Sequence, residues 1–191
     1  APVECSPGRY SASAGRATCE LCPAGSHQPA ANATSCLDCA QGAYCEDGAA
    51  APLPCEAGSY SSAIDLTSAA ECVKTDAGYF APTGSVDQMP CAAGSFASAA
   101  GEGACTPCPA GSFQREAGAT QCSVCIKGSY CPEGASAPLP CEAGSYSDAT
   151  NLAFGTECSP CPAGSACATG STEPLACFPG SHAPHERTAR C

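Results

Sequence analysis

The sequence contains no tryptophan, one methionine and few large apolar side chains. Leucine, isoleucine, valine and phenylalanine together account for 18 of the 191 residues, and the hydrophobic fraction of 44% comes mainly from alanine and cysteine. A chain of this composition cannot bury enough apolar surface for an ordinary core, so composition alone would predict disorder. No apolar run is long enough to span a membrane.

Basic residues are also scarce. Seven lysines and arginines stand against 18 aspartates and glutamates, which gives a formal net charge of −11, and no basic cluster is present. Nucleic acid and anionic membranes are therefore poor partners for this segment, and we expect no membrane insertion. We interpret the thinly spread acidic charge as a solubility feature of an extended surface, with an acidic docking face as the alternative.

Twenty cysteines reverse the expectation of disorder. Cross-links lower the entropy of the unfolded chain and can order a segment that lacks a core. Cytosolic glutathione would keep these thiols reduced, so the protein is predicted to be secreted or to lie at the cell surface. The sequence starts at Ala1 without an initiator methionine or a signal-peptide core and ends on Cys191. We therefore expect a segment of a longer chain.

The cysteines repeat with a period of 86 residues. A shift of that length lays the ten cysteines from Cys5 to Cys105 on the ten from Cys91 to Cys191 without an insertion. So strict a period is typical of a linear array in which each unit contacts its neighbours. The predicted repeat units are 1–90, 91–176 and the start of a third unit at 177–191.

The repeat also predicts how the cysteines pair. Cys161 and Cys167 align with Thr75 and Ala81 in the first unit, so this pair is lost together, as expected for two cysteines bonded to each other. Short loops of this kind are then closed by a disulfide between their own two cysteines, which we call the staple. The staple is missing at 75–81. The remaining cysteines pair with their nearest neighbours along the chain. The predicted disulfides are Cys5–Cys19, Cys22–Cys36, Cys39–Cys45, Cys55–Cys72, Cys91–Cys105, Cys108–Cys122, Cys125–Cys131, Cys141–Cys158, Cys161–Cys167 and Cys177–Cys191.

A shorter motif, Cys-x-x-Gly followed in most copies by an aromatic residue two positions later, recurs within the period. It starts at residues 5, 22, 39, 55, 91, 108, 125, 141 and 177. The glycine allows a tight turn beside the sulfur, where a side chain would collide, and the aromatic side chain has only disulfides and adjacent loops to pack on. Leu66 and Leu152 occupy equivalent places in the longest loops and are predicted to form small apolar plugs.

Glycine, proline and cysteine interrupt every stretch before a helical or strand period is established. We therefore predict a small disulfide-rich repeat protein: an elongated array of short disulfide loops with sparse β-hairpins, little helix and no continuous hydrophobic core. The alanine content of 61–72 allows a helical turn. The PLP stretches at 52–54 and 138–140 are expected to be extended spacers, and the staple-free segment 73–90 is interpreted either as a unique patch or as a flexible joint.

The CxxC pairs raise the possibility of metal or redox chemistry. Cys19, Cys22, Cys36 and Cys39 have a spacing close to that of a zinc ribbon. However, each CxxC joins the end of one loop to the start of the next, and the same loop recurs at 177–191 without a flanking CxxC, so we favour structural disulfides. A redox motif needs a reactive thiol at a helix N-terminus, which the sequence does not predict. No metal or other cofactor is expected.

Two further polar motifs have simple interpretations. His182 and His185 are separated by Ala-Pro and are interpreted as part of a surface turn rather than as a ligand pair. Asn32-Ala33-Thr34 is the one N-glycosylation sequon. The sister loops have Gly15, Gly101 and Gly118 at the position of Asn32, a pattern that favours left-handed backbone, for which asparagine is the next-best residue. We expect Asn32 to be glycosylated, and the 34 serines and threonines also permit O-linked sugar.

The run CPAGSFQREAGATQCSVC at 108–125 resembles the ephrin-receptor-like cysteine-rich repeats, which are similar to the small modules of tumour-necrosis-factor receptors. This resemblance extends over essentially the whole chain and implies nearest-neighbour bridging of each Cys-x-x-Gly loop. It also implies modules of large extracellular proteins, but no particular function.

These features predict an extracellular structural protein rather than an enzyme, since no catalytic constellation or concave core is evident. The preferred hypothesis is a disulfide-stapled rod that forms or spaces a surface filament, ciliary hair or cell-wall coat. Its expected partners are copies of itself or other extracellular matrix or surface proteins, together with N-linked and O-linked glycans. The alternative is the ligand-binding or stalk region of a receptor-like ectodomain, with 73–90 and SHAPHER as candidate patches.

Overall fold

The computed structural model of the protein describes residues 4–12 and 18–191. Within these ranges the strands are two residues long. They pair two by two in chain order, the first with the second and the third with the fourth, and each pair is a separate two-stranded sheet. In chain order, β1 to β20 are Arg9–Tyr10, Glu20–Leu21, Ser26–His27, Leu37–Asp38, Ala43–Tyr44, Leu53–Pro54, Ser59–Tyr60, Val73–Lys74, Tyr79–Phe80, Met89–Pro90, Ser95–Phe96, Thr106–Pro107, Ser112–Phe113, Ser123–Val124, Ser129–Tyr130, Leu139–Pro140, Ser145–Tyr146, Ser159–Pro160, Ser165–Ala166 and Leu175–Ala176. Proline and cysteine flank these strands and keep them short.

The hairpins belong to sub-repeats, which we define by a start residue that is followed three positions later by a glycine with positive φ and then, except at Cys177, directly by the first strand of a hairpin. The sub-repeats start at Cys5, Cys22, Cys39, Cys55, Thr75, Cys91, Cys108, Cys125, Cys141, Cys161 and Cys177. The steps between starts are 17, 17, 16, 20 and 16 residues, and the same five steps recur from Cys91 onward. The 86-residue period therefore contains five sub-repeats of one kind. The starts at Thr75 and Cys161 are additional to the nine predicted from the sequence.

Each sub-repeat opens with a tight turn. In the sub-repeat that starts at Cys55, the Ser59 amide donates to the Glu56 carbonyl at 3.0 Å, and Gly58 between them has a φ of 87°. This is the geometry of a type II turn, in which the third residue must be glycine. The Ser59 hydroxyl also donates to the Glu56 carbonyl, at 2.7 Å. The Gly-Ser pair of the motif is thus explained by the turn.

The strand after the turn pairs antiparallel with the residues that precede the next sub-repeat. Tyr44 lies opposite Leu53, and Tyr60 lies opposite Val73. The PLP stretches predicted as extended spacers are therefore paired strands, because Leu53–Pro54 and Leu139–Pro140 are the second strands of their hairpins. Proline is tolerated there because these two-residue strands are at a sheet edge.

The two 20-residue sub-repeats contain a short 3₁₀ turn each, at Ala69–Glu71 and Gly155–Glu157. The first lies in the alanine-containing stretch 61–72, whose composition allows a helical turn. The extra residues also bring Leu66 and Leu152 inward, where they are 3% and 7% exposed. Leu152 packs with the Cys141–Cys158 bridge, and Tyr130 covers this cluster. The leucines therefore form the predicted apolar plugs.

Sulfur takes the place of a conventional core. The hydrophobic clusters among the described residues are small and centred on cystines, such as Cys39 and Cys45 with Ala43. Aromatic side chains pack on the following bridge: Phe113 lies against the cluster of Cys125, Cys131 and Ala135. The fold is thus the predicted disulfide-rich array of short hairpins.

Contacts divide the chain into two compact units. The first extends to Met89 and includes Ala99–Ala104, and the second consists of Pro90–Ser98 and Cys105–Cys191. The predicted repeat units 1–90, 91–176 and 177–191 describe how the sequence repeats and not how contacts divide the chain, so they stay a prediction. No helix in the described part of the chain is long and apolar enough to cross a membrane.

Candidate functional site

Ten disulfides close the loops. The structure joins the cysteines in the pairs named above, with Cα–Cα distances from 5.5 Å for Cys177–Cys191 to 6.0 Å for Cys141–Cys158, within the usual range for a cystine. All ten bonds join residues 6 to 17 positions apart, and no cysteine is free among the described residues. Each bond therefore stabilises its own loop and leaves contacts between loops to the backbone.

Backbone hydrogen bonds join consecutive sub-repeats in a repeating pattern, which we call the interlock. The Gly94 amide donates to the Gln114 carbonyl of the next sub-repeat at 2.8 Å, and the Gly94 carbonyl accepts from the Cys108 amide at 2.8 Å. The Cys108 carbonyl accepts in turn from the Gly134 amide at 2.8 Å. These bonds satisfy peptide groups that the two-residue strands leave unpaired.

The hydrogen bond of the type formed by the Gly134 amide and the Cys108 carbonyl, which ends on the carbonyl of a start residue, recurs along both units. The donor amide and acceptor carbonyl are those of Asn32 and Cys5, Gly48 and Cys22, Asp65 and Cys39, Gly84 and Cys55, Gly101 and Thr75, Gly118 and Cys91, Gly134 and Cys108, Asn151 and Cys125, Gly170 and Cys141, and Arg187 and Cys161. Every donor has a positive φ. The interlock is therefore the feature that the repeated sequence encodes.

The interlock also brings the motif glycines close to backbone two sub-repeats further on. A Cβ placed on Gly94 would lie 2.2 Å from the Gly134 carbonyl oxygen, and one on Gly58 would lie 2.0 Å from the Gly101 oxygen. Any side chain at these positions would push the sub-repeats apart. The glycine is thus required by stacking as well as by its turn. The sequence alone does not reveal this role, because the contact joins residues about 40 positions apart.

Asn32 lies in the left-handed position expected from its sister loops. Its φ is 57°, and Gly101 and Gly118 at equivalent positions have φ values of 84° and 74°; Gly15 lies outside the described residues. The Asn32 Oδ1 accepts a hydrogen bond from the Cys5 amide at 3.0 Å. The side chain is exposed, and Nδ2, the atom that carries an N-linked glycan, is not needed for this bond.

The staple-free sub-repeat keeps the interlock. Thr75 occupies the cysteine position, is 0% exposed, and its amide donates to the Gly58 carbonyl at 3.0 Å. The Gly101 amide lies 3.0 Å from both the carbonyl and the hydroxyl oxygen of Thr75. Segment 73–89 therefore keeps the backbone hydrogen bonds of the other copies, and the interpretation of 73–90 as a unique patch or a flexible joint stays a prediction.

Two clefts recur at equivalent positions of the period, one in each unit. The first is about 270 Å³ and is lined by Glu56, Ser59 and Lys74 among others. The second is about 370 Å³ and is lined by Tyr130, Glu142 and Arg187 among others. Each contains one carboxylate and one cationic side chain. Arg187 has a φ of 61° at a position where Gly101 stands in the first unit, and Pro160 stands at the position of Lys74, so a guanidinium in the second cleft takes the place of the lysine ammonium in the first.

Apolar side chains are exposed along the second strands of the hairpins in the first unit. Leu37, Leu53, Val73 and Met89 stand two residues before a sub-repeat start and are 44–53% exposed. The second unit has Thr106, Ser123, Leu139, Ser159 and Leu175 at this position. The period therefore keeps an exposed apolar residue at two of these four positions, Leu139 and Leu175, and does not keep the whole row.

The metal and redox interpretations find no support in the described residues. Cys19, Cys22, Cys36 and Cys39 are all consumed in disulfides, and no group of three or more His, Cys, Asp or Glu residues there could hold a metal ion. His182 and His185 are exposed, and the His185 carbonyl accepts from the Thr188 hydroxyl at 2.7 Å, as in a turn. The CxxC residues serve to connect loops.

A comparison with known families assigns the chain. A family model described as tyrosine-protein kinase ephrin type A/B receptor-like matches residues 8–51, 78–125 and 94–136, together more than half of the chain. A search of curated proteins finds no match. Modules of this family are non-catalytic parts of receptor ectodomains, and the match and the disulfide content together indicate an extracellular, receptor-like domain. On this evidence the chain belongs to the family of ephrin-receptor-like cysteine-rich repeats.

Proposed function

We propose that the chain is a structural segment of an extracellular protein, a disulfide-stapled rod that forms or spaces a surface filament, a ciliary hair or a cell-wall coat. The observation that carries this proposal is the interlock, in which backbone amides and carbonyls at equivalent positions of each sub-repeat form the same hydrogen bonds along each unit. Arrays built from nearest-neighbour contacts can be lengthened by adding copies, and they need no central core. Such a construction suits a spacer better than a site that recognises one ligand.

The proposed partners follow from the same regularity. Equal units carry equal surfaces at equal steps, so copies of the chain can associate head to tail or side by side, and other extracellular matrix or surface proteins can bind at the same steps. The net charge of −11 opposes unspecific collapse of such assemblies. We propose an N-linked glycan at Asn32, whose side chain is exposed, and O-linked sugar on surface serines and threonines.

A second candidate function is the ligand-binding or stalk region of a receptor-like ectodomain. The cleft beside Arg187 favours it, because a non-glycine residue at a left-handed position is an uncommon and costly choice. The basic side chain also lies in SHAPHER, the segment that departs from the repeat. This candidate requires the guanidinium, whereas a spacer does not.

Electron microscopy of native, non-reduced material separates the two candidates. The structural proposal expects regular filaments whose axial repeat corresponds to the 86-residue period, formed equally well by an Arg187→Gly variant, which restores the glycine of the first unit. Isolated particles that bind an extracellular ligand, with binding lost in Arg187→Gly, would support the receptor function instead. Reduced and alkylated protein is the control that should form neither.

A further inference from the structure

Stretches of chain that lie outside any disulfide loop differ in length. The CxxC linkers contain two residues, and the runs 46–54, 132–140 and 168–176 contain nine each. The run between Cys72 and Cys91 contains 18, twice the length of any of these, because the staple of its sub-repeat is absent. Its counterpart in the second period is divided by the Cys161–Cys167 bond.

Noncovalent contacts replace the missing bond in the native state. Thr75 and Ala81 are both 0% exposed. The Thr75 hydroxyl lies 3.4 Å from the Glu102 carbonyl, which also accepts from the Ala81 amide at 3.2 Å. These contacts hold the folded loop, but they impose no restraint on it once it opens, and a disulfide acts chiefly on the open state.

A polar clamp closes the rest of this loop. The Asp76 amide donates to Gln88 Oε1 at 2.7 Å, and Gln88 Nε2 donates to Asp76 Oδ2 at 2.7 Å. The corresponding residues of the second period are Pro162 and Pro174, which cannot form this clamp and do not need it, since their loop is cross-linked. Asp76 is exposed, Gln88 is partly exposed, and both hydrogen bonds lie at the surface, so water competes for them and the net stabilisation is small.

We propose that 73–90 is the opening point of the chain: it unfolds locally before the stapled sub-repeats do, and an extracellular protease therefore cuts the array there into two disulfide-stapled pieces. Proteolysis of a folded protein requires local opening, and its rate follows the population of the open form when opening is fast. Hydrolysis of the Lys74–Thr75 peptide bond consumes one water and leaves a carboxylate on Lys74 and an amino group on Thr75.

The positions of the basic residues make this proposal easy to examine with trypsin. The chain has seven lysines and arginines, and all except Lys74 lie inside a disulfide loop: Arg9 and Arg16 in 5–19, Arg115 in 108–122, Lys127 in 125–131, and Arg187 and Arg190 in 177–191. Tryptic cuts at those six leave every cysteine-containing piece joined by sulfur and release at most the short peptides 10–16 and 188–190. Under non-reducing conditions only a cut after Lys74 divides the cysteine-containing chain into two large pieces, 1–74 and 75–191.

The second period offers a matched control. Lys74 pairs with Ser59, and Pro160 pairs with Ser145 in the same register. A Pro160→Lys variant therefore presents a second lysine just before a stapled sub-repeat, and non-reducing gels report both cuts in one molecule. We expect cleavage after residue 160 to be slower by roughly fifty-fold, the factor that the chain-entropy model gives for a cross-linked loop of about seven residues. Reduced and alkylated protein gives the intrinsic cutting rates of the two bonds.

Exchange of the staple completes the experiment. Adding Cys161→Thr and Cys167→Ala to Pro160→Lys should raise cleavage after residue 160 to near the rate at Lys74, and Thr75→Cys with Ala81→Cys should slow the cut at Lys74 to the stapled rate. Gln88→Ala, which leaves all cysteines in place, should accelerate the cut at Lys74. Equal rates after residues 74 and 160 in Pro160→Lys, corrected for the intrinsic rates, would overturn the proposal, and so would a staple exchange that leaves both rates unchanged.

Discussion

Replacing Gly94 by alanine should separate two sub-repeats, whereas the same change at Gly164 should only strain one turn. The φ values are 88° and 84°, and both carbonyls accept from the start residue of the next sub-repeat, Cys108 at 2.8 Å and Cys177 at 3.0 Å. A Cβ on Gly94 would lie 2.2 Å from the Gly134 oxygen, but one on Gly164 would meet no atom within 4 Å in this chain. The pair therefore isolates the close approach from the backbone strain.

The expected magnitudes follow from these contacts. A Cβ in left-handed backbone costs about 1–2 kcal/mol in both variants. At Gly94, relief of the collision requires a shift of about 1 Å, and overpacking of this kind costs typically about 1–3 kcal/mol more. The shift also weakens the hydrogen bond from the Gly134 amide to the Cys108 carbonyl, which contributes about 1 kcal/mol. Gly94→Ala should thus destabilise its sub-repeat by at least about 2 kcal/mol more than Gly164→Ala.

Amide hydrogen exchange is the suitable assay, because an array opens locally and a single melting temperature would average over its parts. The amide of Cys108 in Gly94→Ala and that of Cys177 in Gly164→Ala are equivalent probes. Relative to the unchanged protein, the first should accelerate about thirty-fold more than the second, at a factor of ten per 1.4 kcal/mol. Accelerations that agree within about twofold would refute the view that stacking requires the glycine.

Three further predictions concern single side chains. Leu152→Ala should lower local stability by about 2 kcal/mol, measured by exchange near the Cys141–Cys158 bridge, because the leucine is buried against it. Hydrogen bonds from Thr67 lower the pKa of Glu71, so any stability from this carboxylate is present above the ordinary glutamate pKa and is lost as pH falls through the lowered value; Thr67→Ala should raise the pKa toward the ordinary value in an NMR titration. Asn32→Gln should remove one N-linked glycan from secreted protein, as an intact-mass decrease, and unchanged mass would contradict occupancy.

The local features of the fold could be predicted from the sequence because each is signalled within one loop. The joint replacement of Cys161 and Cys167 by Thr75 and Ala81 indicates a bonded pair without knowledge of the fold. Asn32 at a position that is glycine in sister loops indicates left-handed backbone. These inferences need only short-range steric rules and the chemistry of thiols.

The interlock could not be predicted, because the residues that form it differ in side-chain chemistry from one sub-repeat to the next and because its contacts join residues far apart in the sequence. Thr75 starts a sub-repeat that a search for cysteine passes over. The position six residues after the start is buried in most sub-repeats, whether it is Cys45, Gln28, Ser61 or Ala81, which share no side-chain chemistry. Its common property is burial against the next sub-repeat, and only the structure reveals that contact.

Mapping the disulfides of the native, non-reduced protein by mass spectrometry tests the central claim most directly, since local stapling underlies the array, the staple-free segment and the proposed spacer function. Digestion with pepsin at acidic pH, where thiol exchange is slow, should yield ten linkages, each within one loop, including the short Cys39–Cys45, Cys125–Cys131 and Cys161–Cys167 bonds. A bond across a CxxC, such as Cys19–Cys22, or one that joins different sub-repeats would contradict the account.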